Sequence, residues 1–223
     1  MCSDETANYE LIIEDCHLKV CMIDIANSII TAQNKVLEQA RKAEYFFPKS
    51  EIRSFTVAMG LQSAFIDNVF SSNLPHKIVI CMVDGDSYSG STQRNPFHLK
   101  HNDVQQITVF VNGQSQPTPP MVMSFQDGQI SNPLTALYDN TNTHIITNQN
   151  FAYGHALFAF DLCSDSEGTK EFTTRPLCLE QSGVIRIEMV FAKALAKSIQ
   201  VLVYGESTGS FNVNLTRNVH KEL

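Results

Sequence analysis

The stretch that most constrains this chain is residues 78–83, IVICMV, six apolar residues without polar alternation, ended by Asp84-Gly85. A short apolar run bounded by turn chemistry reads as a strand covered on both faces, central in its sheet and not at an edge. Downstream, Ile107, Val109 and Val111 alternate with Thr108, Phe110 and Asn112, and Asn112-Gly113 follows at once. That is a strand with one face on a core, leading into residues that tolerate positive φ in a tight turn. Between the two strands, residues 87–101 are polar and broken by Gly90 and Pro96, which predicts a wide surface loop in place of a long helix. A β-sandwich with long loops at its ends accommodates all three pieces.

The rest of the chain keeps this rhythm. Strand-like runs recur at 52–57, 64–70, 155–161, 183–191, 199–204 and 211–215, making eight with the two above. In the run at 183–191, Ile185, Ile187, Met189 and Phe191 alternate with Arg186 and Glu188, which should face solvent or a partner. Residues 114–150 hold Pro117, Pro119, Pro120, Asp127-Gly128 and Pro133, and so predict an irregular, mobile section with at most a short helical turn at 133–138. Ahead of the sandwich, 9–13 and 18–25 are β-prone, and Asn27 can cap a helix with Ile29, Ile30, Val36, Leu37 and Ala40 on one face. Within that helix Glu38 and Lys42 are spaced as an i,i+4 pair. The expected fold is all-β: a jelly-roll β-sandwich of eight strands in two sheets, preceded by an N-terminal strand segment and one connecting helix. The domains are then 1–47, leading segment and helix, and 48–223, jelly roll.

Charge and composition narrow the function. The 223 residues carry a formal net charge of -7 with no stripe of Lys or Arg, which gives direct nucleic-acid binding little electrostatic support. The polar, acidic opening MCSDETANYE lacks the layout of a signal peptide, and no apolar run approaches the roughly 20 residues that span a bilayer. A soluble protein made in the cytosol is expected, without membrane contact. Six cysteines (Cys2, Cys16, Cys21, Cys81, Cys163, Cys178) are scattered without a C-x-x-C, which favours free, mostly buried thiols. Asn214-Leu215-Thr216 matches a glycosylation sequon and, without a secretory route, reads as chance.

Three constellations resemble chemistry. Residues 85–92, GDSYSGST, come within one residue of a phosphate loop, but Ser91 stands where the lysine belongs and Asp84 and Asp86 would repel an anion. His98 and His101, with Asp103 nearby, have metal-ligand spacing, yet a loop does not impose the tetrahedral set a metal needs, and exposed histidines are the plainer account. Asp161 and Asp165 flank Cys163; their negative charge would raise a thiol pKa and disfavour a nucleophile. No catalytic residue, cofactor site or metal site is expected.

A family resemblance enters with the blocks Gly90-Ser91, Asn95-Pro96-Phe97, His101 and Val111-Asn112-Gly113. It continues through 156–162 (ALFAFDL, with Phe160 and Asp161), 183–188 (GVIRIE), 191–195 (FAKAL), 201–206 (VLVYGE, with Tyr204) and Arg217-Asn218-Val219. Their order and content resemble the second half of the double jelly-roll major capsid proteins of Polinton (Maverick) elements and adintoviruses, in the adenovirus hexon-like lineage. The resemblance spans about Tyr9 to Val219. It implies that residues 9–25 correspond to the last strand of a first jelly roll, 27–43 to the inter-domain helix, and the remainder to the second jelly roll. The first jelly roll has no counterpart here, so the chain reads as a fragment or as a truncated or host-retained gene.

The resemblance implies a structural capsid protein, not an enzyme, that self-associates into capsomers, a homotrimer if that role holds, alongside other capsid proteins. It would reside in the virion, after synthesis in the host cytoplasm and assembly there or in the nucleus. Residues 114–150 and 164–176 are then candidate outward or intersubunit loops. The alternatives are a carbohydrate- or receptor-binding jelly roll, for which the lack of Trp provides little stacking surface, and a host-retained, capsid-derived protein. A cupin-type metalloenzyme ranks behind them, because only His98 and His101 are close in sequence.

Overall fold

The computed structural model describes residues 12–39, 42–70, 73–141, 144–163, 182–214 and 216–222. Among them the elements run α1 (Asn27–Glu38), β1 (Ala43–Val57), β2 (Ser63–Ile66), β3 (Lys77–Asp84), α2 (Gly85–Tyr88), β4 (Val104–Val111) and β5 (Gln114–Val122). They continue with α3 (Ser131–Thr141), α4 (Asn148–Ala152), β6 (Leu157–Asp161), β7 (Ile185–Phe191), β8 (Ile199–Val213) and β9 (Val219–Glu222). No described helix is long and apolar enough to cross a membrane.

Two sheets result, ordered β1-β8-β3-β6 and β2-β7-β4-β5, with β9 added to β8. The pairs nest: first with eighth, second with seventh, third with sixth, fourth with fifth. A ribbon of antiparallel strands wound on itself in this order is a jelly-roll β-sandwich, the expected fold. One core joins both sheets, with Ile78, Ile80, Met82, Phe158, Phe160, Val201 and Val203 from the first and Ala64, Ile66, Ile107, Val109, Ile185, Ile187 and Met189 from the second. Alternation on β7 follows the expected pattern; on β4 Ile107, Val109 and Val111 are buried as expected, but Thr108 between them is buried as well. Arg186 on the outer face reaches over the rings of Phe65 (5.4 Å) and Phe110 (5.9 Å).

Strand β3 is central, bonded to β8 on one side and β6 on the other. On its second face Val79 and Cys81 are only half-buried, while Val83 at the strand's end is buried; in a two-layer sandwich each sheet has one face in the core. Residues 114–150 depart furthest from expectation. Gln114–Val122 is a strand, not irregular chain, and Pro117, Pro119 and Pro120 fit because β5 is an edge. The register jumps from Ile107↔Met121 to Val109↔Gln116, so the prolines occupy a bulge where no ladder donor is needed. Helix α3 is eleven residues long and buries Pro133, Leu134 and Leu137; a proline in the first turn costs no intrahelical bond. The run expected at 199–204 and the first part of that expected at 211–215 are one strand, β8, which ends at Val213; Leu215 lies outside the described residues.

Contacts divide the chain into two units, Pro48–Thr208 and Cys2–Phe47 with Gly209–Leu223. The first holds the sandwich core. In the second, Tyr45 stacks on Phe211 (5.1 Å between centroids), Arg217 donates to Asn34 Oδ1 (2.5 Å), and Ser210–Val213 of β8 pairs with Val219–Glu222. The strand expected over 9–25 does not form in 12–26. Its Ile12, Ile13, Leu18, Val20, Met22, Ile23 and Ile25 are exposed, and β-propensity becomes a strand only beside a partner. Helix α1 is present, but Ala26 is its N-cap and makes no side-chain cap bond, and the helix stops at Glu38, before Lys42. Among the described residues of its apolar face only Leu37 is buried, and Ala40 lies outside the described residues.

Gly205 on β8 tests the packing. A Cβ there would lie 2.6 Å from Cζ of the buried Phe70. Gly205→Ala should cost about 1–3 kcal/mol in urea unfolding through overpacking, and Phe70→Leu in the same chain should recover part of it; strictly additive losses would sink the contact.

Candidate functional site

The connection from β3 to β4 begins at Gly85, whose N–H donates to the Ser198 carbonyl (3.1 Å). Helix α2 that follows is four residues long with Asp86 in its first turn, and Asp86 is engaged by Arg94. This is not a phosphate cradle. Gly90 turns the chain at φ +94 with open space around it. Asn95 Oδ1 accepts the Phe97 N–H (2.9 Å), closing a turn around Pro96 that leaves the Phe97 ring 80% exposed. Lys100 Nζ returns to Asp84 Oδ2 (2.6 Å), tying the end of the connection to its start.

Where this connection meets the α4–β6 turn, a cleft of about 300 Å³ is lined by His98, Lys100, His101, Asn102, Asp103, Ala152, Tyr153 and Gly154. His98 packs on Gly154, where a Cβ would lie 2.3 Å from its Nδ1. The His101 ring stacks on Phe125 (3.9 Å between centroids, 9° between planes), Phe125 stacks on Phe151, and Phe151 meets Phe158 edge to face. His101 Nδ1 accepts the Asp103 N–H (2.9 Å), and Asp103 Oδ1 lies 3.4 Å from it. Burial pushes the imidazole below the usual histidine range, with the Asp103 carboxylate acting the opposite way. No group of three His, Cys, Asp or Glu among the described residues is placed to hold a metal.

The other motif residues lie apart. Asn112 and Gly113, at φ 51 and φ 85, form the two-residue turn between β4 and β5, roughly 25 Å from His101 along the strand. Asn112 also clasps β7's approach: its Oδ1 accepts the Val184 N–H (3.0 Å), its own N–H donates to the Val184 carbonyl (3.0 Å), and a Cβ on Gly183 would lie 2.2 Å from that Oδ1. Phe160 is buried opposite Ile78, Asp161 Oδ1 accepts the Cys163 N–H (2.9 Å), and Tyr204, opposite Val79, donates to Glu206 Oε2 (3.3 Å). The motif therefore gathers Gly90 to His101 on one connection and distributes the rest. Sequence reasoning did not find Phe125, Phe151, Tyr153 or Gly154, because an aromatic stack between distant loops has no local signature.

The thiols correct an expectation. Cys163 is disulfide-bonded, its partner lying outside the described residues. Cys16 and Cys21 are exposed instead of buried, and Cys81 is free and half-buried, its thiol pushed up to about 11 by burial. Asp165 and the loop 164–176 lie outside the described residues.

No protein-family model matches the chain. An uncharacterized protein of Caenorhabditis elegans is 22% identical over 218 residues, covering 92% of this chain and 50% of its own length; the chain spans about half the length of the curated relative it matches. Among solved structures it is similar to a chain of the Sputnik virophage, with 11% identity and TM-score 0.49 over 81% of this chain and 39% of that one. It is similar to the PBCV-1 virus capsid, with 7% identity and TM-score 0.45 over 82% and 52%, and to the mavirus major capsid protein, with 10% identity and TM-score 0.41 over 82% and 41%.

Two outcomes follow from this geometry. Replacing Asn112 with Ala removes the acceptor for Val184 and puts a less tolerant residue at positive φ, so it should cost about 1–3 kcal/mol by chemical denaturation, whereas Asn112→Asp should keep most of the stability. In the native chain at neutral pH, iodoacetamide should label Cys16 and Cys21 and spare Cys81, read by peptide mass spectrometry; rapid labelling of Cys81 would contradict its burial.

Proposed function

We propose that this chain is a capsid-type structural protein, the second jelly roll of a double jelly-roll major capsid protein in the Polinton and adintovirus lineage, working by self-association and not by catalysis. The observation that carries the reading is where the motif residues fall on a complete jelly roll. Gly90, Asn95, Pro96, Phe97 and His101 shape the β3–β4 connection, Asn112 and Gly113 make the β4–β5 turn, and Phe160, Asp161 and Tyr204 belong to β6 and β8 of the first sheet. A motif spread over joints and sheet specifies a shape, as a building block requires, and does not converge on one reacting centre. On this reading residues 1–47 precede the jelly roll of 48–223, the exposed Phe97 loop faces neighbouring subunits, and the oligomer is a homotrimer in the virion shell beside other capsid proteins.

The likeness to a nematode protein over 92% of this chain favours a second reading, a capsid-derived gene retained by an animal host. Both readings predict self-association and differ in whether shells form. Light scattering of the purified chain across concentrations should give a closed trimer or larger ring under either. A strict monomer at high concentration would contradict the capsomer role, and electron microscopy of the oligomer would separate free capsomers from shells.

A further inference from the structure

The cleft beside the β3–β4 connection contains a titratable group in a structural role. Asn102 and Asp103 are both left-handed (φ 46 and φ 50), a conformation that costs energy for a non-glycine residue unless its surroundings hold it. Three backbone bonds meet here: the Asp103 N–H to His101 Nδ1 (2.9 Å), the Val104 N–H to the His101 carbonyl (3.0 Å), and the Ala192 N–H to the Asp103 carbonyl (2.8 Å). The first uses a side-chain nitrogen as acceptor, which it can be only while unprotonated.

We propose that His101 is an acid-released latch: its neutral ring pins the Asn102-Asp103 turn that leads into β4, and protonation loosens that turn. Adding a proton to Nδ1 would set N–H against N–H and charge a ring stacked on Phe125. The ring's own loop contributes His98, Asp103 and Lys100, the last bound to Asp84; the α4–β6 turn contributes Tyr153; the 124–129 turn contributes Phe125, with Asp127 bonded to Ser124 Oγ (2.7 Å). Asp103, the one carboxylate lining the cleft, favours the charged ring, and burial outweighs it. The resulting stability is present above the ordinary histidine pKa and is lost as pH falls through the lowered one. The latch is independent of assembly.

NMR on the full chain tests this between about pH 7 and about pH 5, the range in which histidine changes charge. The His101 ring protons should titrate below the ordinary histidine value, and the Asp103 amide should lose hydrogen-exchange protection severalfold beyond the intrinsic pH effect. His101→Asn offers an oxygen to the same N–H without titrating, so it should keep protection at neutral pH and lose the acid dependence. Titration of His101 at or above the ordinary value, an Asp103 amide equally protected at both ends of the range, or the same acid loss in His101→Asn would each overturn the latch. If that variant does not fold, the pH dependence of the wild-type Asp103 amide protection still decides.

Discussion

Strand β3 is bonded along its length to β8 and through Lys77–Cys81 to β6, and its inward residues Ile78, Ile80 and Met82 are fully withdrawn from water. Each such side chain contributes about 1.5–3 kcal/mol of hydrophobic stabilisation. Both of its partners come from far along the chain, so this central row can form only when the ribbon has folded back on itself. Strand β4 likewise sits between two strands, but only β7 comes from far along the chain; β5 follows across the two-residue Asn112-Gly113 turn. A fold of nested, non-local pairs is slow to assemble and cooperative once formed. Around these two strands lie β8 and β7, with β1 and β2 at the edges beyond them, the proline bulge of β5, and the loops at the ends.

Nesting also decides where chemistry can be placed. In a sandwich with a filled core, variable residues belong to the connections at the two ends of the sheets. Here one of those connections is stiffened at its base by Lys100–Asp84 and the His101–Phe125–Phe151 stack, while its tip carries an exposed phenylalanine. The ring is presented on a braced support. Jelly rolls serve many functions, so a capsid role rests on the motif residues and their places in the fold, not on the fold alone.

The two central strands are legible because apolar runs and period-two alternation follow directly from a strand with one or both faces covered. The Asn112-Gly113 turn is legible for a related reason: few residues accept positive φ, and these two sit at the end of an alternating run. Residues 114–150 mislead because proline is read as a breaker, whereas an edge strand with a bulge has donors to spare. The segment at 12–26 misleads in the other direction. Its side chains favour a strand, but among the described residues no ladder reaches it. Cysteine spacing likewise says nothing of the Cys163 disulfide, since pairing depends on which loops approach one another.

Local pattern alone determined that this chain would be a sandwich of about eight strands, which faces of β4 and β7 would be buried, and where the sharpest turn would fall, because each depends on residues within a few positions of one another. Tertiary structure alone decided the sheet order, the merging of two runs into β8, the clasp between Asn112 and Val184, and the stack that buries His101. These depend on partners brought together only by folding, and a side chain's burial, bonding and proton affinity are properties of that company, which no short window of sequence contains.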